Sequence, residues 1–197
     1  MIKKAASLLL STLIASTFAQ KKSALYPSIY MYTPTHPTTD NSTYANTDYI
    51  KDTWLHIDWN NIFWTNSTIL GSVTHEMIVI QETNYITLDM WDQTIINVTA
   101  VNPGLSAISK DMPTGNLGGQ PLTWRVDAPN PGSGQVLIID LGQTMPVGAN
   151  YGIQIFYSTA PTALALTWLT PAQTVGKVYP YMFSQSEDIS GRSFIPM

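Results

Sequence analysis

Residues 54–59 read Trp54-Leu55-His56-Ile57-Asp58-Trp59. Apolar and polar side chains alternate with a period of two. Leu55, Ile57 and Trp59 share one face; Trp54, His56 and Asp58 share the other. That spacing belongs to a strand with one face turned to a core. Downstream, Thr68 to Gln81 puts Ile69, Val73, Met77 and Val79 on one face. Further β runs follow at Ile86 to Met90, Thr94 to Val101, Leu122 to Val126, Val136 to Leu141 and Gly152 to Tyr157. Asn102-Pro103-Gly104, Asp127 to Gly134 and Gly148-Ala149-Asn150 separate them with turn chemistry. No window of a dozen residues carries a 3.6 period. The pattern predicts an all-β protein, a sandwich or a curved antiparallel sheet.

Upstream of these strands the composition changes twice. Residues 1–19 read as a secretory signal peptide: Lys3 and Lys4, then an apolar run from Ala5 to Ser16, then Thr17-Phe18-Ala19 as a cleavage site. The apolar run is shorter than the roughly 20 residues a membrane-spanning helix needs, so no membrane span is expected. Residues 20–52 read as an extended lead-in rich in Pro and Thr, with Tyr26-Pro27, Thr33-Pro34 and His36-Pro37 biased towards β or polyproline geometry. Residues 53–197 form the domain.

The chain carries nine Lys and Arg against thirteen Asp and Glu, a formal charge of −4. Loss of Lys3 and Lys4 with the leader takes it to −6. An acidic surface repels phosphate backbones, which argues against a nucleic-acid partner. Cysteine is absent, so the fold rests on an ordinary core, and thiolate nucleophiles and thiolate metal sites are excluded. Three sequons, at Asn41, Asn66 and Asn97, combine with the leader to predict a secreted or secretory-pathway glycoprotein.

Local motifs for chemistry are sparse. His75-Glu76 begins like a zinc-protease helix, but Val79 stands where the second histidine belongs and the segment alternates like a strand. It reads as a histidine on a half-buried strand face. His56 and Asp58 share a face and read as a surface pair. Gly132-Ser133-Gly134 precedes a strand, so it is a turn rather than a phosphate loop. The Trp and Tyr side chains suit core and cross-strand pairs. The residues by themselves describe a secreted β domain with no self-contained catalytic site.

The closing segment adds to this. Fourteen residues over about thirty positions, Trp168, Leu169, Pro171, Gln173, Thr174, Gly176, Lys177, Pro180, Tyr181, Phe183, Ser184, Gln185, Arg192 and Pro196, fall in order on a pattern of the M1 zinc aminopeptidases. The stretch resembles the N-terminal domain of that family, nearest to its leukotriene hydrolase/aminopeptidase branch. Upstream, "WLHIDW", "TILGSV" and "ITLDMWDQTIINVTAV" are collinear with its first strands.

The resemblance implies an antiparallel, saddle-like β-sandwich that is only partly present, so that the chain is a truncated form or fragment of a larger protein. It implies a metallo-aminopeptidase acting on peptides, with zinc held by a catalytic domain that this sequence does not contain. It places Gln185 and Glu187 in the pocket for the substrate's first residue, where a carboxylate at 187 pairs with a free α-ammonium. Glu187 is more like general aminopeptidases than like the leukotriene branch. Arg192 is expected to anchor the segment through a carboxylate. No catalytic residue and no metal ligand is assigned to the chain itself, which is expected to be inactive alone. A partial fold also implies an open sheet edge around Gly152 to Tyr157 and Thr167 to Leu169, self-association through it, and solvent exposure of Phe183, Phe194 and Ile195. The alternative reading is a non-catalytic secreted β-sandwich that binds carbohydrate or a protein partner.

Overall fold

The computed structural model describes residues 42–103, 119–128 and 131–197, all within one compact unit, Pro34–Met197. The predicted leader, Asn41 and most of the lead-in lie outside the described residues. Among the described residues the fold is all-β and antiparallel, as the alternation predicts. The strands are β1 (Ile50–Phe63), β2 (Thr68–Val79), β3 (Thr83–Met90), β4 (Thr94–Val101), β5 (Gln120–Pro121), β6 (Thr123–Asp127), β7 (Gln135–Met145), β8 (Asn150–Ser158), β9 (Leu166–Leu169) and β10 (Tyr181–Ser184). They form a five-stranded sheet in the order β1-β2-β8-β4-β5, a three-stranded sheet β3-β7-β6 and a hairpin β9-β10.

Register explains the core. Ile57 pairs with Val73, Val73 with Ile155, and Ile155 with Val98, so one apolar row crosses the large sheet. Paired residues point to the same side. In the small sheet Ile86, Ile139 and Trp124 make one row, and Leu88, Leu137 and Val126 the next. While Ile57 on β1 stays 37% exposed, Val73, Ile155, Val98, Ile86, Ile139, Leu88 and Leu137 of these rows belong to one hydrophobic cluster with Trp124 and Val126 packed against it. Burying each such side chain stabilises by roughly 1.5–3 kcal/mol. Gly71 sits opposite Trp59, and a Cβ there would meet the Asp58 carbonyl oxygen at 2.4 Å. The missing side chain is what lets β1 approach with its indole laid over β2.

Two expectations are corrected. First, β8 is not an edge: it is flanked by β2 and β4, whereas β9 pairs with β10 alone and keeps one unpaired side, as expected. The long exposed edge is β1, where Leu55, Ile57, Trp59, Ile62 and Phe63 remain about 40% exposed. The pairing of β4 with β8 joins segments some fifty residues apart in sequence, which local alternation does not report.

Second, the domain begins before residue 53. Tyr44 and Asn46 are 2% exposed. The Tyr44 N–H donates to Asp89 Oδ1 at 2.8 Å, Asn46 Nδ2 donates to the Tyr85 carbonyl at 3.1 Å, and Asn46 Oδ1 accepts from the Thr87 N–H at 2.9 Å. Residues 43–46 thereby bind β3 through side chains that composition had assigned to the lead-in.

Candidate functional site

The site is built on the β9-β10 hairpin and the segment that follows it. The loop between the two strands carries the Pro-x-Gln-Thr-x-Gly-Lys pattern, and each residue has a local structural task. Gln173 Oε1 accepts from the Thr170 N–H at 2.9 Å and from Thr170 Oγ1 at 3.0 Å. Thr174 Oγ1 lies 2.9 Å from the Pro171 carbonyl and 2.7 Å from that of Tyr179. Gly176 and Lys177 both turn through positive φ, 79° and 55°. Few apolar contacts hold this loop; its own polar side chains satisfy its backbone.

Past β10, the Gln185 N–H donates to the Ala165 carbonyl at 2.8 Å and extends the ladder by one residue. Gln185 and Glu187 then stand side by side, both exposed. Gln185 Oε1 accepts from the Glu187 N–H at 3.1 Å, and Gln185 Nε2 donates to Glu187 Oε2 at 3.3 Å. The pair presents one carboxylate and one amide to solvent from a short loop fixed at both ends.

The far end is fixed by Arg192, 5% exposed, in a short 3-10 turn over Ser190–Ser193. Its Nη1 donates to the Ser133 carbonyl at 2.6 Å and its Nη2 to the Ser42 carbonyl at 2.7 Å; Nη2 also lies 3.3 Å from Asp89 Oδ2. The same carboxylate accepts from Thr43 Oγ1 at 2.5 Å. Ser193 Oγ accepts from the Ala165 N–H at 2.9 Å and donates to the Ser190 carbonyl at 2.7 Å. Arg192 is thus an anchor on a carboxylate, in keeping with the sequence reading.

Phe194 and Ile195 depart from expectation. They are 9% and 7% exposed, while Phe183 is 41% exposed. Phe194 packs on Trp59 with ring centroids 4.9 Å apart. Met197 and Asp89 exchange two backbone hydrogen bonds, 2.6 and 3.0 Å. Residues 194–197 therefore bridge β1 and β3, and the expected wetting of all three side chains holds for Phe183 alone.

His75 is also different from its sequence reading. It is fully buried rather than half-buried. Its Nδ1 lies 3.0 Å from Asp52 Oδ2 and its Nε2 lies 3.1 Å from the Pro196 carbonyl. Both ring nitrogens are taken, one by β1 and one by the closing segment, so His75 fastens that segment to the sheet. Sequence reasoning had no signal for this, because Asp52 and Pro196 are distant in the chain. His56 and Asp58 do not form the imagined pair: His56 stacks on Trp54 at 5.6 Å, and Asp58 accepts from Asn60.

Among the described residues no three His, Asp or Glu side chains gather as a metal site. With both His75 nitrogens engaged, the residues present do not fit a zinc ion. Among the described residues no helix is long and apolar enough to cross a membrane. Of the sequons, Asn66 is exposed in the β1–β2 turn and Asn97 is half-buried in β4.

No family model matches the chain. Several curated fungal proteins do. Leucine aminopeptidase 2 of Aspergillus niger is 39% identical over 80 residues, 41% of this chain and 13% of its own. Leucine aminopeptidase 2 of Yarrowia lipolytica is 51% identical over 49 residues, 25% of this chain and 8% of its own. The Emericella nidulans protein of that name is 34% identical over 132 residues, 65% of this chain and 18% of its own. The chain therefore corresponds to less than a fifth of each of these proteins.

Among solved structures, native yeast LTA4 hydrolase superposes with a TM-score of 0.65 at 25% identity over 87% of this chain and 24% of its own. An M1 zinc metallopeptidase from Deinococcus radiodurans shares the fold, with a TM-score of 0.50 at 13% identity over 75% of this chain and 28% of its own. In sequence and in fold, the chain matches the N-terminal domain of the M1 aminopeptidases.

Proposed function

We propose that this chain is the substrate-cleft domain of a secreted zinc aminopeptidase that removes N-terminal residues from peptides. Glu187 pairs with the free α-ammonium of the substrate, and Gln185 holds that carboxylate in place. The observation that carries the reading is the Gln185–Glu187 pair: two exposed polar side chains bonded to each other, on a loop clamped by the β9 ladder on one side and by Arg192 on the other. A carboxylate presented this way recognises an ammonium group by a charge-assisted hydrogen bond. Because the described residues do not fit zinc, the metal and its chemistry belong, on this reading, to a catalytic domain outside these residues.

A chimera tests it. Residues 42–197 replace the corresponding segment of yeast LTA4 hydrolase, and hydrolysis of an aminoacyl amide is followed. Glu187→Ala is expected to lower kcat/KM by about 10- to 100-fold, the worth of one hydrogen bond to a charged group. Glu187→Asp should restore part of the loss. An active chimera indifferent to Glu187→Ala would rule the assignment out.

A further inference from the structure

We propose that the β1–β2 turn is an N-glycan site with its own receptor, in which the first N-acetylglucosamine on Asn66 packs into a pocket formed by Trp64 and Trp168. The turn reads Trp64-Thr65-Asn66-Ser67-Thr68 and is closed by the Phe63–Thr68 pair. Ser67 takes a left-handed φ of 56°, which reverses the chain within four residues and holds Trp64 and Asn66 together at the tip. Asn66 is exposed, and its Oδ1 accepts from Thr68 Oγ1 at 3.0 Å. That bond leaves Nδ2, the atom that carries a glycan, open to solvent.

A pocket of about 280 Å³ adjoins the turn, walled by Trp64, Trp168, Pro171 and Pro180, with Thr65 and Ser67 at its polar side. Trp64 is 45% exposed and meets Trp168 edge to face, with centroids 5.4 Å apart. A pyranose has the matching chemistry: an apolar C–H face for indole and a rim of hydroxyls for polar neighbours. In the transfer, Asn66 Nδ2 displaces a diphosphate from C1 of a lipid-diphosphate-linked N-acetylglucosamine. A C1–N bond replaces the C1–O bond, the lipid diphosphate leaves, and the amide loses one proton to solvent.

The inference rests on the secretory entry proposed above, so the test removes that dependence. The full chain is expressed in a yeast secretory host behind a host leader, and the glycans are trimmed to one N-acetylglucosamine. Peptide mapping should find the sugar on Asn66. The trimmed protein should melt about 2–4 °C above Asn66→Gln, and this gain should vanish in a Trp64→Ala or Trp168→Ala background. A bare Asn66, an occupied Asn66 with no thermal gain, or a gain that survives loss of both indoles would each overturn the proposal. Secretion behind the chain's own leader, scored separately, reports on the secretory reading alone.

Discussion

β2 and β10 are strands of the same molecule held by opposite means. Of the twelve residues of β2, ten are buried, including Ser72, Thr74, His75 and Glu76. None of the four residues of β10 is buried. β2 lies between β1 and β8 and takes its stability from apolar rows that continue into its neighbours. β10 has one partner, and its hairpin is held by side-chain hydrogen bonds of Thr170, Gln173 and Thr174. The residues that mark the family cluster in the hairpin and the segment after it, not in the core. A core position accepts many apolar residues of suitable volume, whereas a loop closed by one amide and one hydroxyl accepts few.

The largest effect should come from the joint between the two regions. Arg192→Met leaves the Asp89 carboxylate buried and removes the donors to Ser42 and Ser133. Breaking a buried pair costs about 3–5 kcal/mol, so urea titration should show a midpoint loss greater than for any hairpin substitution. A small effect would mean that residues 190–197 are held by Phe194 and His75 instead.

Next in size is a direct contrast between the regions. Ile155→Ala, at a fully buried centre of the large sheet, should cost about 2–5 kcal/mol. Phe183→Ala on the exposed hairpin should stay within about 0.5 kcal/mol. Comparable losses in equilibrium unfolding would show that a partner surface covers the hairpin in solution.

The smallest effect is one of pH. Burial raises the Tyr157 hydroxyl above the ordinary phenol value, with a smaller opposing contribution from Trp59. Because its folded value is raised, its contribution to stability is fully present below about pH 10 and is lost as pH rises beyond it. Spectrophotometric titration should show at least one tyrosine that ionises only on unfolding. Ionisation of all tyrosines near pH 10 in the folded protein would contradict the burial of Tyr157.

The strands were legible because alternation is a local property. From Trp54 to Tyr157 each predicted run lies within an observed strand, apart from one or two residues at its ends. Arg192 as an anchor was legible through resemblance to the family. Other features were not. Residues 43–46 looked like a lead-in because Thr, Tyr and Asn are polar by composition, and only the fold brings Asp89, Tyr85 and Thr87 to meet them. β10 is four residues long and flanked by turns, too short for alternation to reveal.

The sequence by itself determined that the chain is all-β, that no disulfide holds it, and that its closing segment is of the aminopeptidase type. These follow from side-chain period, composition and ordered motif residues, all of which survive without coordinates. Tertiary structure alone decided that β8 lies inside a sheet, that β1 is a long open edge, and that Phe194 and Ile195 are dry. It also decided that His75 bonds Asp52 and Pro196, residues 23 and 121 positions away. Such contacts depend on how strands are ordered and where distant segments dock, and a one-dimensional pattern holds no record of distances between residues far apart in the chain.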